Sequence, residues 1–241
     1  MTDLTIYGPF VKQAQQFGIT LTDAQVAQFA QYEALLLEWN GRINLTAIRE
    51  PEQIRLRHFL DALTCVQLTG DLNGQTMIDV GTGAGFPGLP LKIIFPELRL
   101  TLLESVQKKA RFLQAAVDEL ALSDVLVLAE RAETIGQLPE YREQYDWTVA
   151  RAVAEMRVLV ELLLPFCRVG GSMLAQKGSS AREETAVAAN ALKELGGQHQ
   201  ETTEIYLPER EEPHYLVLFT KQKKTPAKYP RRVGMPGKRP L

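Results

Sequence analysis

The residues with the clearest chemical potential lie between Met77 and Leu91, in the run MIDVGTGAGFPGLPL. It carries a G-x-G-x-x-G spacing at Gly83, Gly85 and Gly88, with Asp79 just before it and Glu104 following 19 residues after Gly85. Glycines at a strand-to-helix turn let the backbone take positive φ and approach a ligand with no Cβ in the way. Two kinds of adenosine-containing ligand use such a turn. A dinucleotide needs free backbone N–H groups for its diphosphate, whereas a sulfonium donor such as S-adenosylmethionine has no phosphate. Asp79, so close to the turn, would repel a diphosphate but suits a positively charged amino or sulfonium group. Pro87 has no N–H to offer a phosphate. Glu104 is placed to accept hydrogen bonds from ribose hydroxyls. The order D-x-G-T-G-x-G therefore favours S-adenosylmethionine over a nicotinamide dinucleotide.

Other side chains complete a transfer site. In methyltransferases of this class the adenine rests near the loop after the third strand, here AERAE, where Ala132 and Glu133 offer contacts. Arg151 ends the stretch YDWTVAR, beside the expected point of transfer, and suits the cofactor, a phosphate or a target base. His58 and Asp61 are three apart on an expected helix and share one side of it, where they line the cleft mouth or the domain junction. The acceptor is constrained by what the chain lacks. Ring-carbon methylation needs a cysteine nucleophile, but Cys65 and Cys167 sit in no partnering motif and read as small buried hydrophobes. The Asn/Asp-Pro-Pro-aromatic run of exocyclic-amine methyltransferases is replaced by ARAVAEM. An acceptor that needs no deprotonation, such as guanine N7, fits best. Three histidines without H-x-x-x-H spacing make a metal site an unlikely expectation.

These residues need a scaffold, and the periodicities supply one. Thr22 and Gln25 form a capping box, followed by Val26, Phe29, Leu36, Leu37 and Ile43 near one helical face. A second helix is expected from Pro51 to about Leu68. From Gln75 strands alternate with helices. The expected strands are TMIDV, residues 98–104, 124–130 and 145–151, and GGSMLAQKG, with a closing pair at ETTEIYLP and HYLVLFTKQ. Ser105 is the expected cap of a helix carrying Val106, Ala110, Leu113, Val117 and Leu120. Helices are also expected over 89–95, 155–166 and 181–195. The fold class is α/β, a mostly parallel sheet covered on both faces. The domains are a helical extension (1–72), a ligand-binding domain (73–221) and a basic tail (222–241).

The net charge of −2 hides an asymmetry. Residues 221–241 hold eight Lys/Arg and no acid, leaving 19 basic against 29 acidic residues in the rest. A basic tail on an acidic body points to a polyanion, and its small apolar content favours RNA over lipid. Arg231, Arg232, Lys238 and Arg239, with Tyr229 to stack, are the candidate RNA contacts, and Lys177 is a candidate phosphate contact. The start of the chain lacks the pattern of a signal peptide. With no uncharged apolar run of membrane-spanning length, a cytoplasmic protein is expected.

Taken together, LTAIREPEQIRLRHFLDAL, MIDVGTGAGFPGLPLKI, LLESVQKKARFL, VARAVAEM, LAQKG and YPRRVGMPGKRPL resemble the bacterial small-subunit ribosomal RNA guanine-N7 methyltransferases, the GidB proteins. The resemblance runs from about Asn40 to Leu241. It implies a Rossmann-like class I S-adenosylmethionine-dependent methyltransferase domain behind a helical extension. The implied partner is 16S rRNA or the small ribosomal subunit, the implied target guanine 527, and the chain is expected to act as a monomer. Carried over by motif, the cofactor contacts are Gly81 and Phe86, then Glu104, Ser105 and Val106, then Ala132 and Glu133, and Arg151. Ala62 stands where serine is expected in HFLDSL. The rival readings are a non-catalytic protein binding S-adenosylmethionine and RNA, a small-molecule methyltransferase, and a dehydrogenase.

Overall fold

The computed structural model describes residues 4–151 and 153–241. Its centre is one sheet of β1 (Thr76–Val80), β2 (Arg99–Leu103), β3 (Val125–Leu128), β4 (Tyr145–Arg151), β5 (Cys167–Lys177), β6 (Gly197–Ile205) and β7 (His214–Lys221). The order is β3-β2-β1-β4-β5-β7-β6. β1 to β5 are parallel, and β7 runs antiparallel between β5 and β6. β1 and β4 are buried on both faces along most of their length, as central strands of a doubly covered parallel sheet are. They lie side by side where the strand order reverses, so a crevice opens beyond their carboxyl ends.

Each face of the sheet has its own hydrophobic core. On one face the N-terminal helices pack with helices Gly88–Ile94 and Gln107–Glu119 around Phe29, Phe59, Leu102 and Phe112. On the other, helices Met156–Leu163, Ala181–Val187 and Ala189–Leu195 pack around Leu159, Phe166 and Phe219. The helical extension is thus one of the layers covering the sheet. Phe10, Phe29, Tyr32, Phe59 and Phe86 form a chain of ring contacts from it to the glycine turn.

Several expected elements shift for local reasons. The capping box forms: Thr22 Oγ1 accepts from Gln25 N, and Gln25 Oε1 accepts from Thr22 N. The helix it starts ends at Asn40, leaving Ile43 outside. Asn40 Oδ1 accepts from Leu45 N and Thr46 N and turns the chain. Ser105 is not a helix cap, because the helix begins at Gln107 with no side-chain cap. The second helix begins at Pro51 but is not uniform. Residues Arg55–Leu60 form a π-helical stretch, and a turn at residues 64–65 precedes the last turn, Val66–Thr69. Such widened turns are frequent at functional sites; this one carries His58 and leads into Asp61.

The tail is not a free arm. Thr225, Tyr229, Pro230 and Pro236 are buried against the body. Lys221, itself buried, donates to Leu164 O, Cys167 O and Thr225 Oγ1. Arg142 donates to the carbonyls of Thr225, Pro226 and Tyr229. Short polar bonds to backbone carbonyls hold a segment whose proline content prevents a long helix.

Candidate active site

The glycine turn is a closed hydrogen-bonded unit. Gly81, Gly83 and Gly85 have φ of 70°, 64° and 96°. Gly81 N and Thr82 N donate to Leu103 O; Gly85 N and Phe86 N donate to Thr82 O. Gly83 N donates to Glu104 Oε2 (3.0 Å) and Gly88 N to Asp79 Oδ2 (2.8 Å). These amides are therefore committed inside the protein, and the turn does not present them to a phosphate. The other groups around the turn point the same way. A cavity beside it is lined by Gly81, Ser105, Glu130, Arg131, Ala132, Glu133, Val153 and Leu162, with Glu104 at the adjoining strand end. Three carboxylates against one arginine disfavour a diphosphate and favour a cationic ligand. The pocket residues thus fit a sulfonium nucleoside.

Asp79 has a different task from the one its position suggests. It is fully buried, and Oδ2 accepts from Thr82 Oγ1 (2.7 Å) as well as from Gly88 N. It ties the turn to the strand from beneath rather than facing a ligand's charge. A Cβ on Gly88 would meet Asp79 Oδ2 at 2.9 Å, so that glycine is needed for the carboxylate to reach the turn. Asp79 Oδ1 has no hydrogen-bond partner, and burial pushes the carboxyl up to about 6 against its two donors and Arg151. Glu104 bridges the turn and the next strand end by also accepting from Val106 N (2.8 Å).

A second cavity, of about 320 Å³, is also at the carboxyl end of β4 and is lined by Arg57, His58, Asp61, Arg151, Gln176, Lys177, Gly178, Arg210 and His214. Here the expected trio of His58, Asp61 and Arg151 comes together. Arg151 Nη1 donates to Asp61 Oδ2 (3.0 Å) and Arg57 O (3.2 Å), and Nη2 stands 3.3 Å from His58 Nδ1. The ring of Phe86 is stacked on His58 (4.7 Å between centroids) and on Tyr32 (5.6 Å), with the Arg151 guanidinium 4.7 Å from its centre beside His58. Phe86 is therefore a buried wedge between turn and helix, and Arg151 faces the second cavity rather than the glycine-turn cavity. His58 Nε2 lies 2.7 Å from Thr46 Oγ1. Burial and the neighbouring Arg151 lower the imidazole to about 4, so it is neutral near pH 7 whichever nitrogen carries the proton.

The remaining candidates divide. Gly81, Ser105, Ala132 and Glu133 gather at the first cavity, and Glu104 holds Gly83 N and Val106 N on either side of it in the chain. Three basic or aromatic candidates are already engaged within the protein. Lys177 Nζ donates to Ala154 O (2.7 Å) and pairs with Glu184 (2.6 Å). Tyr229 is buried, and its hydroxyl donates to Glu194. Arg231 grips the wholly buried Glu161 through Nε and Nη2. Arg232, Lys238 and Arg239 are exposed. Sequence reasoning missed Gln176, Arg210 and His214. Gln176 donates to Asp61 O (2.8 Å) and leaves its buried Oε1 without a partner in the cavity wall. His214 Nδ1 lies 3.2 Å from Asp61 Oδ1, near enough for attraction but out of line for a hydrogen bond. Gln176 is near the end of β5, His214 starts β7, and Arg210 is in the loop before it, positions that carry no motif in the sequence.

A doubly covered sheet reversing between β1 and β4, with a glycine turn closed to phosphate, defines a class I S-adenosylmethionine-dependent methyltransferase fold. The same fold is found in an S-adenosylmethionine-dependent methyltransferase from Aquifex aeolicus, with a TM-score of 0.54 and 18% identity over 70% of this chain and 93% of that one. The chain is 50% identical over 227 residues to ribosomal RNA small subunit methyltransferase G of Alkaliphilus metalliredigens, covering 94% of this chain and 95% of that one. It is also 50% identical to the protein of that name from Roseiflexus sp. strain RS-1, covering 95% and 97%. The family model for GidB, rRNA small subunit methyltransferase G, matches residues 25–212. The chain belongs to the GidB family of rRNA small subunit methyltransferases.

Proposed function

We propose that this chain transfers the methyl group of S-adenosylmethionine to N7 of a guanine in 16S rRNA, with guanine 527 the target the family implies. The observation that carries the reading is the pairing of two cavities. A turn closed to phosphate and rimmed by acids shares the carboxyl end of β4 with a cleft whose cations, Arg57, Arg151 and Arg210, suit a nucleotide. Among the described residues no helix is long and apolar enough to cross a membrane. Cys65 and Cys167 are free and buried, which supports work in a reducing cytoplasm. The chain is taken to act as a monomer.

When bound, S-adenosylmethionine supplies an electrophilic methyl group on a positively charged sulfur. Glu104, between its two backbone donors, would accept from the cofactor's ribose, and Ala132 and Glu133 would line the adenine end. The protein's remaining work is orientation. Arg151, fixed by Asp61 and by the Arg57 carbonyl, presents a rigid guanidinium to the acceptor. Guanine N7 carries no proton, so the cleft needs no base. Its residues agree: His58 is too weak a base near pH 7, and Asp61 is committed to Arg151. A cysteine nucleophile is opposed by burial, which pushes Cys167 up to about 12 and Cys65 well above its usual range.

The test is labelled methyl transfer to small subunits, and to free 16S rRNA, from cells lacking the gene, followed by nuclease digestion and mass spectrometry. A single 7-methylguanosine is expected. Methylation at another atom, or labelled product only on small molecules, overturns the assignment.

A further inference from the structure

The tail touches both walls of the glycine-turn cavity. One wall is the short helix Ala132–Ile135 with its preceding loop, the other helix Met156–Leu163. Glu133 and Leu162 line the cavity from these two elements. The chain returns to them at its C-terminal end. Arg231 N and Nε both donate to Glu161 Oε1 at 2.9 Å, and Nη2 also donates to Arg239 O (2.8 Å), closing the tail on itself. Three residues on, Gly234 N donates to Glu133 Oε1 (2.9 Å). Gly234 has φ of 79°, a left-handed turn that aims its N–H at the carboxylate and that a side chain resists. Upstream, Gln137 donates to Pro230 O (2.7 Å), and Pro230 packs so close to Gly136 that a Cβ there would lie 3.0 Å from it.

We infer that residues 231–239 are a strap that sets the cofactor cavity and reports RNA to it. This rests on the methyltransferase reading above. Glu133 is shared: one oxygen is held by the strap while the side chain lines the cavity. The strap's own basic side chains, Arg232, Lys238 and Arg239, are exposed on the same few residues. RNA phosphates gripping those side chains act on the segment that positions Glu133. Donor binding and RNA binding are then coupled, and coupling is reciprocal: each ligand raises the affinity for the other by the same factor.

The chosen variant lies on the strap and lines no cavity. Gly234→Pro removes the N–H and cannot take the positive φ, so it breaks the Glu133 contact while leaving the Arg231–Glu161 pair. Titration calorimetry with S-adenosylmethionine and no RNA should show affinity weakened about tenfold, within the usual span of site-to-site coupling. The triple variant R232Q/K238Q/R239Q keeps the strap docked. It should bind donor like the parent chain, yet lose the gain in donor affinity that 16S rRNA gives the parent. On the parent chain, hydrogen exchange at the Gly234 amide should slow when donor is added, a readout free of any folding defect. Unchanged donor affinity in Gly234→Pro, or exchange at Gly234 indifferent to donor, overturns the strap. If the parent chain binds no donor at all, the methyltransferase reading fails instead.

Discussion

Replacing Gly83 by alanine separates the cost of the backbone from the cost to the ligand. A Cβ built on Gly83 meets nothing within 4 Å, while its φ of 64° is left-handed. The folded protein therefore loses only the conformational penalty, about 1–2 kcal/mol for an L side chain. At this chain length that lowers Tm by roughly 2–8 °C. The open space beside Gly83 is the crevice assigned to the donor, since Gly83 N is held by the Glu104 carboxylate offered to the ribose. An added methyl in a preformed, well-packed contact costs about 1–3 kcal/mol, or roughly 5- to 150-fold in affinity. Gly85→Ala is the contrasting control. Its Cβ would stand 2.4 Å from Leu89 Cδ1 and 2.7 Å from Tyr32 Oη, both on side chains with no exposed surface. That variant should lose stability first. The assay is a thermal melt beside titration calorimetry with S-adenosylmethionine. Parent-like donor affinity in Gly83→Ala would refute the assignment of the turn as donor cradle.

Two further predictions follow from the same site. His58 and Asp79 pull on stability in opposite directions over one pH window. His58 is depressed from 6.5 to about 4, so its contribution is lost as pH falls through that range. Asp79 is raised from 3.8 to about 6, so its contribution is lost as pH rises between those values. Relative to the parent chain, His58→Gln should gain stability as pH falls from 6.5 to 4, and Asp79→Asn should gain as pH rises from 4 to 6, each by about 2–3 kcal/mol. Parallel pH profiles by thermal melt for all three chains would contradict both assignments. Arg151→Lys keeps the charge opposite Asp61 but loses the forked geometry and the cover over Phe86. Single-turnover methyl transfer should slow by about 10- to 100-fold, with donor affinity within about twofold. Equal losses in both would move Arg151 to the donor side.

Removing the tail to test RNA binding is not a clean experiment. Deleting residues 222–241 strips the partner from Glu161, a wholly buried carboxylate, and an unpaired buried charge costs about 3–5 kcal/mol. Neutralising Arg232, Lys238 and Arg239 leaves that pair intact.

The sequence alone determined whatever depends on neighbours along the chain. The alternation of strands and helices, the Thr22–Gln25 capping box and the glycine turn with Asp79 and Glu104 were all legible. So was the preference for a ligand without a diphosphate, since Pro87 and the acidic flank are local facts. What only tertiary structure decided are roles set by distant partners. Asp79 looked like a ligand contact, but burial and the approach of Gly88 make it a clasp. Arg231 looked like an RNA contact until Glu161, 70 positions away, claimed it. The π-helical turn that carries His58 towards β4 has no spacing signature, and Gln176, Arg210 and His214 enter the cleft only because β5 ends and β7 begins beside it, with Arg210 in the loop before β7. Charge and periodicity show what a side chain is able to do, and packing decides which of its possible partners reaches it first.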